Sequence, residues 1–156
     1  MKRLTLMTVL IVLAVAGNAL AMKGSADVVK VAPANAAVTA VAGQRVAFDI
    51  KIDIEKKWHI YAHGDSNFIG VDLLPDEKFP LTELKAEYPH GHEGEFFGEK
   101  VVMIEGKDVI KASALVPADL AKGEHILTLS VTAQACDDKT CLPPADIPVS
   151  LKLTVE

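Results

Sequence analysis

The sequence predicts an all-β fold, an immunoglobulin-like antiparallel β-sandwich, and three observations predict it. Apolar residues recur with a period of two over long stretches. Turn-forming residues divide those stretches at short intervals. No segment carries the apolar period of a long amphipathic helix, and residues 117–120 make at most one helical turn.

The pattern is sharpest where Val46, Phe48, Ile50, Ile52 and Ile54 alternate with Arg45, Ala47, Asp49, Lys51, Asp53 and Glu55, giving one apolar face and one wet face. It returns at Leu127, Leu129, Val131, Ala133 and Ala135, and again at Ile147, Val149, Leu151, Leu153 and Val155. Residues 28–31, 37–41, 58–61, 68–74, 84–88, 101–104 and 109–116 read as shorter strands. Ala42-Gly43, His63-Gly64-Asp65, Leu74-Pro75-Asp76, Glu105-Gly106-Lys107 and Lys122-Gly123-Glu124 supply turns between them. Ala32-Pro33-Ala34-Asn35 reads as flexible, so the expected organisation is a signal peptide over residues 1–21, a flexible lead-in over 22–36 and a sandwich domain over 37–156.

The signal peptide is read from Lys2 and Arg3, an apolar run over residues 4–16 that is short for a membrane span, and a small-x-small cleavage pattern at Ala19-Leu20-Ala21. The protein is therefore expected to be exported, with cleavage near Ala21. Met22, and not a cysteine, stands directly after that point, which argues against a lipid anchor. Loss of Lys2 and Arg3 leaves 14 basic against 21 acidic side chains, a net charge of about −7, and nucleic acid is excluded as a partner. About 135 mature residues suffice for one domain with its own core.

The chain holds two cysteines, Cys136 and Cys141, with four residues between them. At the closed end of a hairpin such a pair can reach the Cα separation of roughly 4.4–6.8 Å that a disulfide needs. The loop it would close is so short that the chain-entropy gain is only about 2 kcal/mol, a weak staple. A short connection suits a redox pair, because reduction then leaves the fold intact and the thiols poised to close again. By parity Cys136 falls with Thr128, Ser130, Thr132 and Gln134, away from the core and at a rim that a partner can reach. An immunoglobulin-type structural disulfide would join inward-facing positions far apart in sequence, and this pair does not. From these residues alone, a structural clasp and an exchange-active pair both stand.

His59, His63, His90 and His92, with Met103, are the residues a transition metal could use. His59 faces solvent by parity, and His90-Gly91-His92 has the composition of a polar loop, so no metal site and no cofactor is assigned. Trp58 is expected in the core, and Asp137-Asp138-Lys139-Thr140 as a solvated turn. No Ser-His-Asp order, phosphate loop or carboxylate pair marks a hydrolase.

Gln134-Ala135-Cys136 through Cys141-Leu142-Pro143-Pro144, with Trp58-His59-Ile60-Tyr61 upstream and Glu95-Phe96-Phe97-Gly98 between, resembles the N-terminal periplasmic domain of the DsbD-type thiol:disulfide interchange protein. The likeness runs over residues 37–155. It implies an immunoglobulin-like domain of the periplasm whose Cys136/Cys141 pair takes electrons from a membrane-embedded thiol:disulfide transporter and passes them to periplasmic thioredoxin-like oxidoreductases. It also implies that Cys141 attacks first and Cys136 resolves. Glu95, Phe96 and Phe97 match a cap that shields the pair, and Tyr61, Leu142 and Pro143 lie beside it; Gly94 and Gly98, which bracket the aromatic pair, are read as hinges from glycine's access to both signs of φ. The chain departs from the best-known member in having one residue fewer between the cysteines, Leu142 in place of an aromatic, and Gly94 in place of an acid. No membrane or thioredoxin-like domain follows within these residues, so the donor is expected to be a separate polypeptide. The competing reading is a non-catalytic exported sandwich, a metal carrier or interaction domain, with a structural disulfide.

Overall fold

In the computed structural model, which describes residues 23–65 and 67–156, the chain makes one helical turn, α1 (Ser25–Val28), and eleven strands. They are β1 (Val29–Pro33), β2 (Ala37–Ala40), β3 (Arg45–Ile54), β4 (His59–Tyr61), β5 (Asp72–Pro75), β6 (Thr82–Glu87), β7 (His92–Phe96), β8 (Glu99–Glu105), β9 (Lys107–Leu115), β10 (Gly123–Ala133) and β11 (Ala145–Val155). The expected signal peptide lies outside the described residues.

The period of two decides the architecture. Along β3 exposed and buried residues alternate without a break, and Val46, Phe48, Ile50, Ile52 and Ile54 share one core with Leu127, Leu129 and Val131 of β10 and Val149, Leu151 and Leu153 of β11. Burial of each such side chain contributes about 1.5–3 kcal/mol. The strands form two four-stranded sheets, ordered β1-β3-β9-β6 and β2-β11-β10-β5, and a three-stranded sheet, β4-β8-β7. This is the predicted all-β, immunoglobulin-like sandwich. Its ladders are antiparallel apart from β2, which runs parallel to β11 from Ala37↔Lys152 to Ala40↔Val155.

Within the expected lead-in over residues 22–36, the described part is not a loose tether. From Ser25 onward it is built into the fold, with β1 paired to β3 from Val29↔Ile54 to Pro33↔Ile50 and with Val28 and Val29 in the core. Pro33 is compatible with this strand because β1 lies at a sheet edge, where a missing N–H removes no ladder bond. The strand expected over 68–74 shortens to β5, since His63, Gly64, Asn67 and Phe68 lie in turns and bends. An additional strand, β7, occupies a segment read as loop. Only Phe96 of its five residues is buried, so no alternation marked it.

β7 and β8 form a hairpin whose two-residue turn, Phe97-Gly98, has φ of 51° and 82°. Two positive φ values are the signature of a type I′ turn, whose twist matches that of the flanking strands. Phe97 at such a position is strained and 73 % exposed.

If β1 is integral, charge placed on its inner face should unfold the domain while charge on its outer face should not. Val29→Asp is expected to cost about 3–5 kcal/mol, the scale of an uncompensated buried charge. Lys30→Asp, on the exposed neighbour, should stay within about 0.5 kcal/mol. Urea unfolding of the two variants measures the contrast, and similar midpoints would return residues 25–33 to the status of a tether.

Candidate functional site

The two long strands β10 and β11 form a hairpin that continues beyond its last regular pair, Ala133↔Ala145. Leu142 N–H donates to Ala135 O at 2.8 Å and Asp137 N–H to Thr140 O at 2.9 Å, which leaves Cys136 and Cys141 directly opposed between them. Such a non-hydrogen-bonded pair brings the two chains to their closest approach. The Cα atoms are 4.0 Å apart, and the cysteines are joined as a disulfide. The tip is a turn held by Asp137, whose Oδ1 accepts from the N–H groups of Lys139 and Thr140 at 2.9 and 2.8 Å.

Between Ala133↔Ala145 and Cys136↔Cys141 the register slips by one residue. The extra residue falls at Pro143-Pro144, which have no N–H to offer the ladder. Ser25 bridges the gap. Its Oγ accepts from Ala135 N–H at 2.9 Å and donates to Pro143 O at 2.8 Å, while its own N–H donates to the same carbonyl at 3.1 Å. Nothing in the sequence around Ser25 announces that role, because both partners lie more than 100 positions away.

Cys136 is fully buried, which corrects the expectation that it lies open at the rim. Parity holds in one respect: Ala135 enters the main core, and Cys136 points into a separate cluster with Tyr61, Phe96 and Val101, flanked by Phe68, Met103 and Cys141. The face away from the main core is covered by the third sheet. His59 and Cys136 exchange two backbone hydrogen bonds, both 2.9 Å, so β4 runs alongside the cysteine segment. All three residues of β4 are buried as a result, Ile60 toward the main core and His59 and Tyr61 toward the cover. His59 is therefore enclosed, contrary to its expected solvent-facing position. Cys141 remains partly exposed.

The cover is aromatic. Phe68 stacks on Tyr61 at 4.4 Å, and Phe96 meets Phe68 edge-on at 5.4 Å and the His59 ring at 5.5 Å. Phe96, at the end of β7, is buried and packs in one cluster with Cys136. Glu95 is exposed, and Phe97 projects from the turn with its ring 4.3 Å from Phe96. Gly94 is not a hinge of the positive-φ kind; it lies within β7, where an added Cβ would collide with the Met103 methyl. Gly98 does take a positive φ. Leu142 is partly buried against the main core, whereas Pro143 is exposed. Trp58 also packs on that core, with the Lys23 ammonium 5.3 Å from its ring centre.

The histidines do not converge on a metal. His63 stacks on Tyr88 at 3.9 Å, His92 lies 3.6 Å from Glu105, and among the described residues no group of three ligating side chains is gathered. Burial pushes the His59 imidazole below its ordinary value, against the opposing pull of Glu105, Asp138 and Asp137. The Tyr61 phenol, 3.4 Å from His59 Nε2, is pushed up to about 12 by burial. Asp137 is held below the usual carboxylate range by the backbone N–H groups of Lys139 and Thr140. The site thus offers one partly exposed cysteine, one enclosed cysteine, and a neutral imidazole and phenol beside them, an arrangement suited to two-electron exchange.

A family model described as the N-terminal part of the thiol:disulfide interchange protein DsbD matches residues 25–152. The N-terminal periplasmic domain of ScsB from Proteus mirabilis is similar in fold, with a TM-score of 0.57 at 11 % identity over 82 % of this chain. The chain spans 47 % of that protein's length. A family 123 glycoside hydrolase from Clostridium perfringens aligns at a TM-score of 0.42 and 12 % identity, over 77 % of this chain and 22 % of its own, too loosely to inform fold or function. No curated protein matches the chain.

Removing the Phe96 ring should open the enclosed sulfur. Phe96→Ala is expected to cost on the order of 3 kcal/mol, as truncation of a buried aromatic does, and to raise the rate at which iodoacetamide alkylates reduced Cys136, counted per folded molecule. A lowered melting temperature with an unchanged rate would make Phe96 an anchor and nothing more. The imidazole gives a second expectation. Its folded-state value lies below the 6.5 of the free side chain, so beneath about pH 6.5 the unfolded chain binds more protons than the folded one. The stability it confers is complete above that pH and is lost as pH falls toward the lowered value. Asp137 acts the same way only below its ordinary value of 3.8. Denaturation between about pH 7 and 5 should therefore show a decline that His59→Phe abolishes, and an undiminished slope in that variant would place the titrating group elsewhere.

Proposed function

The chain belongs to the family of N-terminal domains of the thiol:disulfide interchange protein DsbD, and from that premise we propose that it carries two electrons as the Cys136/Cys141 dithiol from a membrane-embedded thiol:disulfide transporter to thioredoxin-like oxidoreductases of the periplasm. The observation that carries this reading is where the disulfide lies. It joins neighbours at a hairpin tip, within the small aromatic cluster and outside the main core. Breaking it disconnects no two parts of the sandwich. A structural disulfide would be expected to join elements that are otherwise apart, and here the strands are already paired by backbone hydrogen bonds.

The unequal burial of the two sulfurs supports an order of events. In the oxidised protein, a donor thiolate attacks the accessible Cys141 Sγ and expels Cys136 as the thiolate. The donor's second thiol then releases the domain as the dithiol. Delivery runs in reverse: the Cys141 thiolate attacks the acceptor disulfide, one acceptor sulfur leaves, and Cys136 closes on Cys141 to release the other. The cap of Glu95, Phe96 and Phe97 limits access by small thiols, and a docking partner displaces it. Sulfur–aromatic contacts of about 0.3–1.5 kcal/mol are weak enough for an interface to overcome.

The disulfide should be reduced by dithiothreitol without loss of the β-sheet circular dichroism signal, as a two-electron couple with a potential above the roughly −300 mV typical of structural disulfides. Cys136→Ala should accumulate a stable mixed disulfide at Cys141, and Cys141→Ala should form one far more slowly. A bond that resists reduction until the sandwich denatures would show a clasp.

A further inference from the structure

We propose that the His59 imidazole is the proton acceptor for the Cys136 thiol when that thiol resolves the mixed disulfide held at Cys141. The proposal rests on the exchange reading given above and assigns a role to a side chain that reading does not use. His59 and Cys136 are opposed across an antiparallel pair that exchanges both backbone hydrogen bonds, so their side chains leave the same face of the two strands. That face is the covered one, where Cys136 is sealed and solvent cannot take its proton directly. The imidazole lies between the aromatic cluster and the outside: it meets Phe96 at 5.5 Å and also lines a pocket of about 260 Å³ with Glu105, His92 and Asp138. Among the described residues, only its Nε2 has a side-chain hydrogen-bond neighbour, the Tyr61 hydroxyl.

The charged and titratable groups facing His59 come from every element around it. Glu105 reaches it from β8, His92 from β7, where Glu95 lines the same pocket, Asp137 and Asp138 from the cysteine turn, and Tyr61 from its own strand. Burial outweighs the acids and keeps the ring neutral, as a base must be before it acts. Once protonated, the ring is stabilised by Glu105, Asp137 and Asp138.

The step balances. With an acceptor sulfur bound to Cys141, the Cys136 S–H proton passes to the imidazole, and the sulfur's electron pair attacks Cys141 Sγ. The Cys136–Cys141 bond forms, the mixed disulfide breaks, and the acceptor sulfur leaves with its electron pair. The imidazolium returns the proton to that thiolate through the pocket. The domain ends oxidised, the acceptor reduced and His59 neutral.

The test uses the whole chain, reduced and then mixed with one equivalent of 5,5′-dithiobis(2-nitrobenzoate), a symmetric aromatic disulfide. Release of the first thionitrobenzoate reports attack by Cys141, and release of the second reports resolution by Cys136. In His59→Gln the second phase is expected to slow by about tenfold or more, within the range general bases supply, and to lose the pH inflection that the wild type shows between about pH 5 and 8. The first phase should be unaffected. Equal slowing of both phases, or a second phase with its rate and inflection intact, overturns the proposal. Wild-type protein releasing a single equivalent would overturn it together with the exchange reading, whereas a biphasic wild type with an unchanged variant removes this proposal alone. Should His59→Gln fail to fold, the wild-type protein decides by NMR: the His59 ring must titrate at lower pH in the reduced than in the oxidised protein, because a Cys136 S–H donated to the ring favours its neutral form, and coincident curves overturn the proposal.

Discussion

The pair of backbone hydrogen bonds between His59 and Cys136 is the contact on which the rest of the site depends. It fastens the three-stranded sheet to the tip of the β10–β11 hairpin, two units that otherwise belong to different ladders. With it in place, β4 supplies Tyr61 and His59 to one side and Ile60 to the other. The β7–β8 hairpin, carried on β4 through Ile60↔Ile104 and Tyr61↔Met103, then brings Phe96 into one cluster with Cys136. Without it the cysteine turn would be an exposed loop closed by a small disulfide.

The molecule consequently has two apolar clusters of very different weight. The main core spans both large sheets, and its aliphatic side chains, at about 1.5–3 kcal/mol each, set the stability of the fold. The second cluster holds only Tyr61, Phe96, Val101 and Cys136, with Phe68, Met103 and Cys141 at its margin. A disulfide in the main core could not be opened without disturbing the larger sum. In the small cluster, opening it exposes a few aromatic contacts and releases a loop constraint of about 2 kcal/mol. Stability and redox chemistry are thereby assigned to different parts of one domain.

Much of this was legible in the sequence. Where one face of a strand meets the core and the other meets water, as in β3, β10 and β11, the period of two reports burial directly, and the sandwich follows. Parity also placed Cys136 off the main core, which is correct. It misjudged exposure at Cys136 and His59 for one reason: parity tells which way a side chain points and says nothing of a third layer laid over the polar face. That layer was itself hard to read, because β7 has the sequence His92-Glu93-Gly94-Glu95-Phe96, with one buried residue and no alternation. The Ala- and Pro-containing start of the domain was misjudged because composition suggested a linker while Val28 and Val29 were already core. Ser25, whose hydrogen bonds span the chain, lies beyond any local pattern.

The charges at the site act in the opposite sense to those that activate a nucleophilic cysteine. Asp137 and Asp138 adjoin Cys136, with Lys139 the one cation in the turn, and a neighbouring like charge disfavours a thiolate. Among the described residues no helix N-terminus faces the pair: α1, a single turn, lies at the base of the hairpin, where Ser25 binds Ala135 and Pro143. Nothing around the turn thus favours a thiolate, and that is useful in a carrier. A thiolate stabilised at rest would be a better leaving group and a weaker reductant, and it would spend its electrons on whatever small disulfide reached it. Here Cys141, the partly exposed cysteine, has no activating charge beside it, and Cys136 is fully buried in the cluster that holds Phe96. On the exchange reading proposed above, electrons leave only when a partner's surface moves that cover and the enclosed proton has somewhere to go.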